Sequence, residues 1–345
     1  MPPNPSQGPY SDMKQGPPLD LIITVDTELS HSRHEDLAQR LEAVRDRDIF
    51  GLTPQGEFGL RHILARLSAH GLKACFFLEA FYGLYAGAAE LGRLAGLILE
   101  AGQEVALHLH SEWLPLLRHP QLAGLRGGSL KDFSRPQQAL LIAQGLDCLR
   151  QAGADRVRAL RAGNYGANLD TLAAAADNGL AFESSYNPAY LDGECAIDLP
   201  QTLWQPQRLQ GVWEMPVSAF QDYPGHLRHL QLSACSLGEI RHAIGQARRQ
   251  GWSHLVLVMH SFELIHRRHL QGLAPRVDRL MLKRFEGLCQ FLAAHRQEVA
   301  TLHFADIDPA GLGGPQPPGP LVSHPGRALW RLGQQAWRRL QARRA

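Results

Sequence analysis

Short apolar runs alternate with amphipathic segments along most of the chain, beginning at Leu21. Runs of strand length lie at 21–25, 73–78, 104–110, 157–163, 181–185, 212–217 and 254–260. Segments with helical spacing of apolar positions lie at 57–71, 90–102, 136–153, 169–179, 239–251 and 279–295. This alternation predicts βα units that form an α/β barrel or a doubly wound sheet.

The two ends of the chain differ from this pattern. Residues 1–18 are rich in proline, glycine and polar side chains, and we expect them to be disordered and to lack a signal peptide. Residues 309–326 form a Pro/Gly-rich linker. One folded domain is therefore predicted over 19–308.

The last segment, 327–345, is a basic tail with six arginines and no acidic residue. The apolar residues that can share one face of a helix there are Trp330, Trp337, Leu340, Leu329 and Ala336. One interpretation is an anchor on an anionic membrane or in a partner's groove. The other is a solvated basic tail, and the sequence leaves both open.

Composition excludes several classes of protein. The 345 residues have a formal net charge of +2, which argues against a dedicated nucleic-acid binder. The five cysteines are scattered and contain no C-x-x-C pair, which is typical of a reducing compartment. No apolar run is long enough to span a bilayer. We therefore expect a soluble cytoplasmic protein, with membrane-surface contact only through 327–345.

Ionisable residues follow several of the predicted strands. They are Asp26 and Glu28, then His108, His110 and Glu112, then Arg161, and finally His260. In parallel α/β folds the carboxyl ends of strands converge on the ligand site. Each residue alone would be an ordinary cap, core histidine or salt-bridge partner, but their joint placement favours a shared function.

These residue types predict a mononuclear metal hydrolase. Zinc and similar ions bind imidazole nitrogen and carboxylate oxygen. His108 and His110 share one face of a strand, and Glu112 could reach the same point if the chain turns. One acid of the Asp26/Glu28 pair could complete the ligand set and the other could act as a general base.

Two further residues could complete the chemistry. Arg161 could hold the base ionised and oriented, and His260 could protonate a leaving group.

The sequence contains none of the motifs of several other enzyme classes. The P-loop, the G-x-G-x-x-G fingerprint, the H-E-x-x-H motif and the G-x-S-x-G elbow are all missing.

The same motifs, in the same order, resemble those of the polysaccharide deacetylases, the NodB-homology carbohydrate esterase family 4, and in particular the WalW-like branch. The matching segments are TVDTE (24–28), EVALHLHSEW (104–113), RAGNYGAN (161–168), ESSYNP (183–188) with WEMPV (213–217), and LVMHSFEL (257–264). The resemblance covers about Leu21 to Asp308. It implies a distorted (β/α)7 barrel with one divalent ion in an open groove, zinc first and cobalt or nickel as alternatives.

The resemblance also implies roles for individual residues. Asp26 matches the family's base, and Glu28 replaces its second aspartate as the expected carboxylate ligand. His108 matches the first histidine ligand. The position of the second carries Glu112, so either His110 or Glu112 takes that role, and His110 is favoured.

The remaining roles follow in the same way. Arg161 would orient the base, and His260 would be the general acid. An N–H group near Tyr165 or Gly166 would stabilise the oxyanion. Tyr165 is a candidate sugar contact. Trp204, in the loop-rich segment 186–212, is another, since it could form a sugar-stacking wall, with a plain surface loop as the other interpretation.

The implied function is removal of an N-acetyl or O-acetyl group from a carbohydrate, such as a lipid-linked or nucleotide-linked precursor of lipopolysaccharide or exopolysaccharide. Two alternatives remain open at this point. The site could hydrolyse another small amide or ureide, or the barrel could bind or scaffold glycans without catalysis.

Overall fold

The structure is a computed structural model that describes residues 16–29, 34–191, 193–266 and 274–344. Its strands are β1 (Leu19–Thr27), β2 (Leu52–Thr53), β3 (Gly56–Glu57), β4 (Cys75–Glu79), β5 (Glu104–Leu109), β6 (Ala159–Ala162), β7 (Phe182–Glu183), β8 (Gln207–Leu209), β9 (Val212–Glu214), β10 (Ala219–Tyr223), β11 (His226–His229), β12 (His254–His260), β13 (Ile265–His266), β14 (Arg276–Val277), β15 (Val299–Thr301) and β16 (Leu321–Val322). Its helices are α1 (His34–Asp48), α2 (Leu60–Ala69), α3 (Phe81–Ala86), α4 (Ala88–Glu100), α5 (Arg135–Gln151), α6 (Leu169–Asp177), α7 (Leu237–Arg249), α8 (Arg279–Ala294) and α9 (Pro325–Arg344).

Seven parallel strands form the central sheet in the order β12-β1-β4-β5-β6-β7-β9. Strand β8 adds an antiparallel edge, and β15 pairs with the start of β1. The sheet curls, and the chain after β9 bridges back to β12, since the Ser218 N–H donates to Val256 O and the Leu232 N–H donates to Val258 O. The predicted distorted (β/α)7 barrel is confirmed.

Alternation along β1 separates two apolar cores. Ile22 faces the barrel interior and packs in a small cluster with Phe77, Phe182 and Phe304. Leu21 belongs to the larger cluster that includes apolar residues of the surrounding helices. Nearly every residue of β1 is buried, as expected for a parallel strand covered on both faces. The interior cluster fills the barrel and leaves the carboxyl ends of the strands for the site.

The strands and helices predicted from periodicity are all present, with ends shifted by a few residues. The prediction did not include α1, α3 or the β10–β11 hairpin. The segment 1–18, predicted to be disordered, lies outside the described residues except at 16–18, where Gly16 and Pro17 accept hydrogen bonds from Arg248.

The segment 309–326, predicted as a linker, contacts the barrel. The side chain of Gln316 accepts hydrogen bonds from the backbone N–H groups of Trp204 and Gln205, both at 3.0 Å. Strand β16 pairs in parallel with β10. The composition is that of a linker, but its polar groups are bound to the rest of the fold.

The basic tail forms α9, which packs on α7 and β10. The buried Arg331 donates to Glu239 at 3.0 Å and to Asp222 at 2.7 Å. Arg338, two turns further on, pairs with Asp278. Among the described residues, no helix combines the length and apolarity needed to cross a membrane.

Candidate active site

The register of the parallel strands brings the predicted residues to one end of the barrel. Asp26 at the end of β1 lies level with His260 at the end of β12. His108 near the end of β5 lies level with Arg161 on β6. Because residues level with each other on neighbouring strands are adjacent, motifs far apart in sequence meet here.

Three side chains could hold a metal ion. These are Glu28, His108 and His110, all buried, whose ligand atoms lie within 4.8 Å of one another. The Nε2 atoms of His108 and His110 lie 3.1 and 2.5 Å from Oε2 of Glu28. Burial alone would raise the pKa of Glu28, but the charge of His110 and the hydrogen bonds of both imidazoles hold it well below its usual range. The carboxylate is therefore ionised.

The other nitrogens of the two imidazoles have acceptors of their own. Nδ1 of His108 donates to the carbonyl oxygen of Arg161 at 2.9 Å. Nδ1 of His110 lies 3.3 Å from Oε2 of Glu112. When Nδ1 alone carries a proton, the neutral imidazole presents a lone pair on Nε2, which is the arrangement that a metal-binding histidine requires. The donor set therefore fits one zinc-like ion.

Glu112 occupies an outer position in this arrangement. It holds His110 with one oxygen and accepts a hydrogen bond from Asn164 at 2.8 Å with the other. It is not in the group of converging ligand atoms. Of the two alternatives left open by the sequence, the geometry favours His110 as the ligand.

Glu79 supports His110 from behind. Its carboxylate accepts hydrogen bonds from the backbone N–H groups of His110 and Phe81 at 2.8 and 2.9 Å. Complete burial raises the pKa of Glu79 to about 8, although the charge of His110 and both hydrogen bonds act in the opposite direction. Sequence analysis missed this residue because a glutamate at the end of β4 is indistinguishable from an ordinary cap.

Asp26 and Arg161 form a buried ion pair, with 2.7 Å between Oδ1 and Nη1. The same guanidinium donates to Thr24 and to both the backbone and the side chain of Ser184. It also lies over the ring of Phe77, 4.3 Å from the ring centroid. With four hydrogen bonds and its planar face against Phe77, the guanidinium is held in place, and Arg161 therefore fixes the orientation of Asp26.

His260 faces the same carboxylates from the other side. Its Nε2 lies 3.9 Å from Oδ2 of Asp26 and 3.9 Å from Oε1 of Glu28. Its Nδ1 pairs with Glu263 at 3.0 Å, and Gln231 donates to the same carboxylate. Burial lowers the pKa of His260, but the hydrogen bond with Glu263 and the neighbouring carboxylates outweigh it and raise the pKa to about 9.

A tight turn at 163–166 forms one wall. Asn164 and Tyr165 both have positive φ, at 54° and 60°, which is uncommon for two consecutive non-glycine residues. A Cβ on Gly163 would come within 2.5 Å of the His110 ring. The N–H of Gly166 donates to Gly163 O, so it is not available to an oxyanion, and the N–H of Tyr165 is the remaining candidate.

These groups open into one cavity of about 660 Å³. Its lining includes Asp26, Glu28, His108, His110, Arg161, Tyr165, Tyr190, His229, His260, Glu263 and Arg338. Trp204 does not line this cavity. That side chain is 8% exposed, packs in the larger core cluster and lies under the 309–326 segment, so the prediction that it contacts sugar finds no support.

The site also contains residues that sequence analysis missed. Glu263 and Gln231 orient His260, and Arg338 reaches the cavity from α9. Only Glu263 had a usable signal, since it stands three residues after His260 in the motif LVMHSFEL. Gln231 and Arg338 come from segments with no pattern that points to the site.

A scan against protein-family models and a search of curated proteins both found no match. Solved structures do match. One is described as a polysaccharide deacetylase from Mycobacterium smegmatis, with 14% identity, 92% of this chain and 99% of that chain covered, and a TM-score of 0.54. A family 4 carbohydrate esterase from Streptomyces lividans, in complex with acetate, matches at 16% identity over 88% of this chain and 98% of its own, with a TM-score of 0.43.

The 4-alpha-glucanotransferase from Thermococcus litoralis also matches, at 8% identity over 89% of this chain and 42% of its own, with a TM-score of 0.50. At such identities the likeness concerns the fold, and a shared fold does not define a reaction. The WalW-like affiliation stays a prediction. The fold that the motifs implied is nevertheless confirmed, since the chain has the distorted barrel fold of the polysaccharide deacetylases.

Proposed function

We propose that this protein is a metal-dependent hydrolase that removes acetyl groups from the amines of a carbohydrate. One observation carries the proposal. A two-histidine, one-glutamate ligand group, a buried Asp26–Arg161 pair and His260 all face one cavity at the carboxyl ends of the barrel strands. A glycan-binding protein has no need for a base and an acid on opposite sides of a metal site.

The ion would be held by Glu28, His108 and His110, and zinc suits this donor set. When bound, it would supply Lewis-acid activation of water and of the acetyl carbonyl group. The protein's part is to hold Nδ1 of both imidazoles protonated, through Arg161 O and Glu112, so that both Nε2 atoms point at the ion.

Asp26 is the proposed general base. Arg161 binds Oδ1, which leaves Oδ2 on the side of His260 and the cavity. A carboxylate fixed in this way can take a proton from the attacking water without changing its orientation. The N–H of Tyr165 would donate to the oxygen that becomes negative in the tetrahedral intermediate.

His260 is the proposed general acid. Glu263 holds its Nδ1, so Nε2 is the atom that can present a proton to the cavity. The C–N bond of the amide breaks, a C–O bond to the water oxygen forms, and the proton from His260 goes to the departing amine. The products are acetate and a free amino sugar.

An aromatic wall supports the carbohydrate as substrate. The rings of Tyr165 and Tyr190 lie 5.5 Å apart, and His229 packs 5.3 Å from Tyr190. All three line the cavity, and Tyr190 is 38% exposed. Flat rings beside a polar site suit the apolar face of a sugar. A lipid-linked or nucleotide-linked precursor of a surface polysaccharide is the proposed substrate class.

The test is release of acetate and free amine from a panel of N-acetylated sugars by zinc-loaded protein. We expect turnover by the wild type and a loss of 10²-fold or more in kcat for Asp26→Asn, since general acid–base groups contribute about 10²–10⁴-fold. Asp155→Asn, at an exposed loop position, is the matched control. Unchanged turnover in Asp26→Asn would refute the assigned base. A wild type that binds zinc and releases no acetate would refute the proposed reaction.

A further inference from the structure

Helix α9 presents its apolar side to solvent and its polar side to the protein. Leu329, Trp330, Leu332 and Trp337 are between 50% and 69% exposed. The side that packs on the fold is built around the buried Arg331, with Ala328 next to it. A surface helix normally has the opposite arrangement, with apolar residues inward and charges outward.

The inward side is held by specific polar contacts. Arg331 binds Asp222 and Glu239, both completely buried as side chains, and Gln334 accepts from Arg284 at 3.1 Å. Arg338 pairs with Asp278. These contacts fix the rotation of α9 about its axis, so the exposure of the two tryptophans follows from the fold and is not the consequence of a loosely attached tail.

We propose that the exposed face of α9, defined by Leu329, Trp330, Leu332 and Trp337, docks on a bilayer that contains anionic lipid. The net charge of the segment distinguishes between two possible partners of this face, a second copy of the chain and an anionic bilayer. The segment 327–345 has six arginines and no acidic residue. Arg331 and Arg338 are paired with carboxylates of the fold, and the four that remain keep the segment basic, so a second copy of the same face would meet like charge. An anionic headgroup layer attracts such a segment.

The residue types fit the same partner. Tryptophan favours the boundary between headgroups and acyl chains, where its ring is buried and its N–H stays hydrated. A helix with tryptophan and leucine on one side and a basic composition lies in the plane of that boundary. The helix would therefore lie on the bilayer and would not cross it, in keeping with its length and polarity.

Docking in this way has a consequence for the site, which rests on the proposed function. Arg338 belongs to α9 and also lines the catalytic cavity. A bilayer against the outer face of the helix would therefore lie beside the cavity, and a sugar anchored in that bilayer would be within reach of it.

The experiment is vesicle flotation with the full chain, which does not depend on catalysis. Vesicles of phosphatidylcholine alone are compared with vesicles that contain about one third phosphatidylglycerol. The double variant Trp330→Ser/Trp337→Ser removes the proposed contact. Leu99→Ser is the matched control, since Leu99 is 41% exposed on α4.

We expect the wild type and the control to float with the anionic vesicles, and the double variant to lose at least 10-fold in affinity. Binding should weaken with added salt. A wild type that stays unbound, or a double variant that binds as well as the wild type, would overturn the proposal. A tryptophan-dependent dimer without vesicle binding would overturn it in favour of a second copy. Failure here would leave acetate release untouched, so the two proposals are tested separately.

Discussion

Single residues around the proposed metal ligands affect how well the site could hold an ion. Gly163 is the clearest case, because the His110 ring packs against its Cα with no room for a side chain. The position follows Arg161 by two residues and begins the tight turn that carries Tyr165. A glycine that sequence analysis treats as part of a motif therefore has a steric function.

Substitution of Gly163 by alanine is predicted to weaken zinc binding by about 10–100-fold, because the new Cβ displaces His110 from its contact with Glu112. Isothermal titration with zinc measures this directly. Gly96→Ala is the control, since a Cβ at that helical position meets nothing within 4 Å. Equal zinc affinity for Gly163→Ala and wild type would show that His110 does not need this placement.

The sequence was sufficient to predict site residues where an ionisable side chain stands at the end of an apolar strand. Asp26, His108, Arg161 and His260 stand at strand ends, and the structure brings all four together. Between His110 and Glu112 the sequence favoured His110 but left both open, because the outcome depends on which side chain turns inward after β5 ends. The prediction that Trp204 contacts sugar finds no support for a related reason. An aromatic residue in a loop-rich segment is expected to be exposed until its packing is known.

Among the elements, α9 differs most from expectation. Its sequence left open an anchor by the apolar face and a solvated basic tail. In the structure the apolar face is exposed, and the opposite face packs on the fold through a buried arginine, which neither interpretation included. The partners of that arginine, Asp222 on β10 and Glu239 on α7, belong to distant segments. Periodicity shows which residues share a face of a helix, but it does not show which face packs against the rest of the fold.

Arg331→Gln is predicted to loosen α9. The change leaves the carboxylates of Glu239 and Asp222 buried without this cation, and breaking such a pair costs about 3–5 kcal/mol. Hydrogen exchange at 325–338 should accelerate by at least 10-fold while the strands of the barrel keep their protection. Arg150→Gln removes an exposed arginine from a surface pair and is the control. Unchanged exchange in α9 would show that Arg331 does not anchor the helix.

On the scale of the whole molecule, the barrel was the most predictable feature. Seven apolar runs became seven parallel strands, as expected for strands that are buried on both faces. The order of the strands could be predicted only from the family resemblance. The same is true of the meeting of motifs that lie more than 200 residues apart in the sequence. Helix α3 was missed because six residues are too few to show a helical period. Helix α1 was missed because its apolar positions Leu37, Leu41 and Val44 lie among many charged residues.

The pH dependence of stability should reflect a buried carboxyl pair in the sheet. Burial, and then the charge of Glu183, raise the pKa of Glu214 well above its ordinary value near 4.5. A raised pKa means that the folded state is favoured while the group is protonated and loses this contribution as pH rises through the native pKa.

Glu214→Gln cannot ionise, so its stability relative to the wild type should increase with pH, by up to about 1.4 kcal/mol per unit above the ordinary pKa. Thermal unfolding of both proteins between about pH 5 and 8, with chelator present, provides the comparison. A difference in Tm that stays constant across this range would show that Glu214 ionises normally in the fold.

The central claim is that Glu28, His108 and His110 hold one divalent ion. The most direct measurement is the metal content of purified, zinc-loaded protein by plasma mass spectrometry, for wild type, His108→Ala and Glu112→Gln. We predict close to one zinc per wild-type chain, loss of zinc in His108→Ala, and a bound but more weakly held ion in Glu112→Gln. No zinc on the wild type, or full occupancy in His108→Ala, would contradict the account.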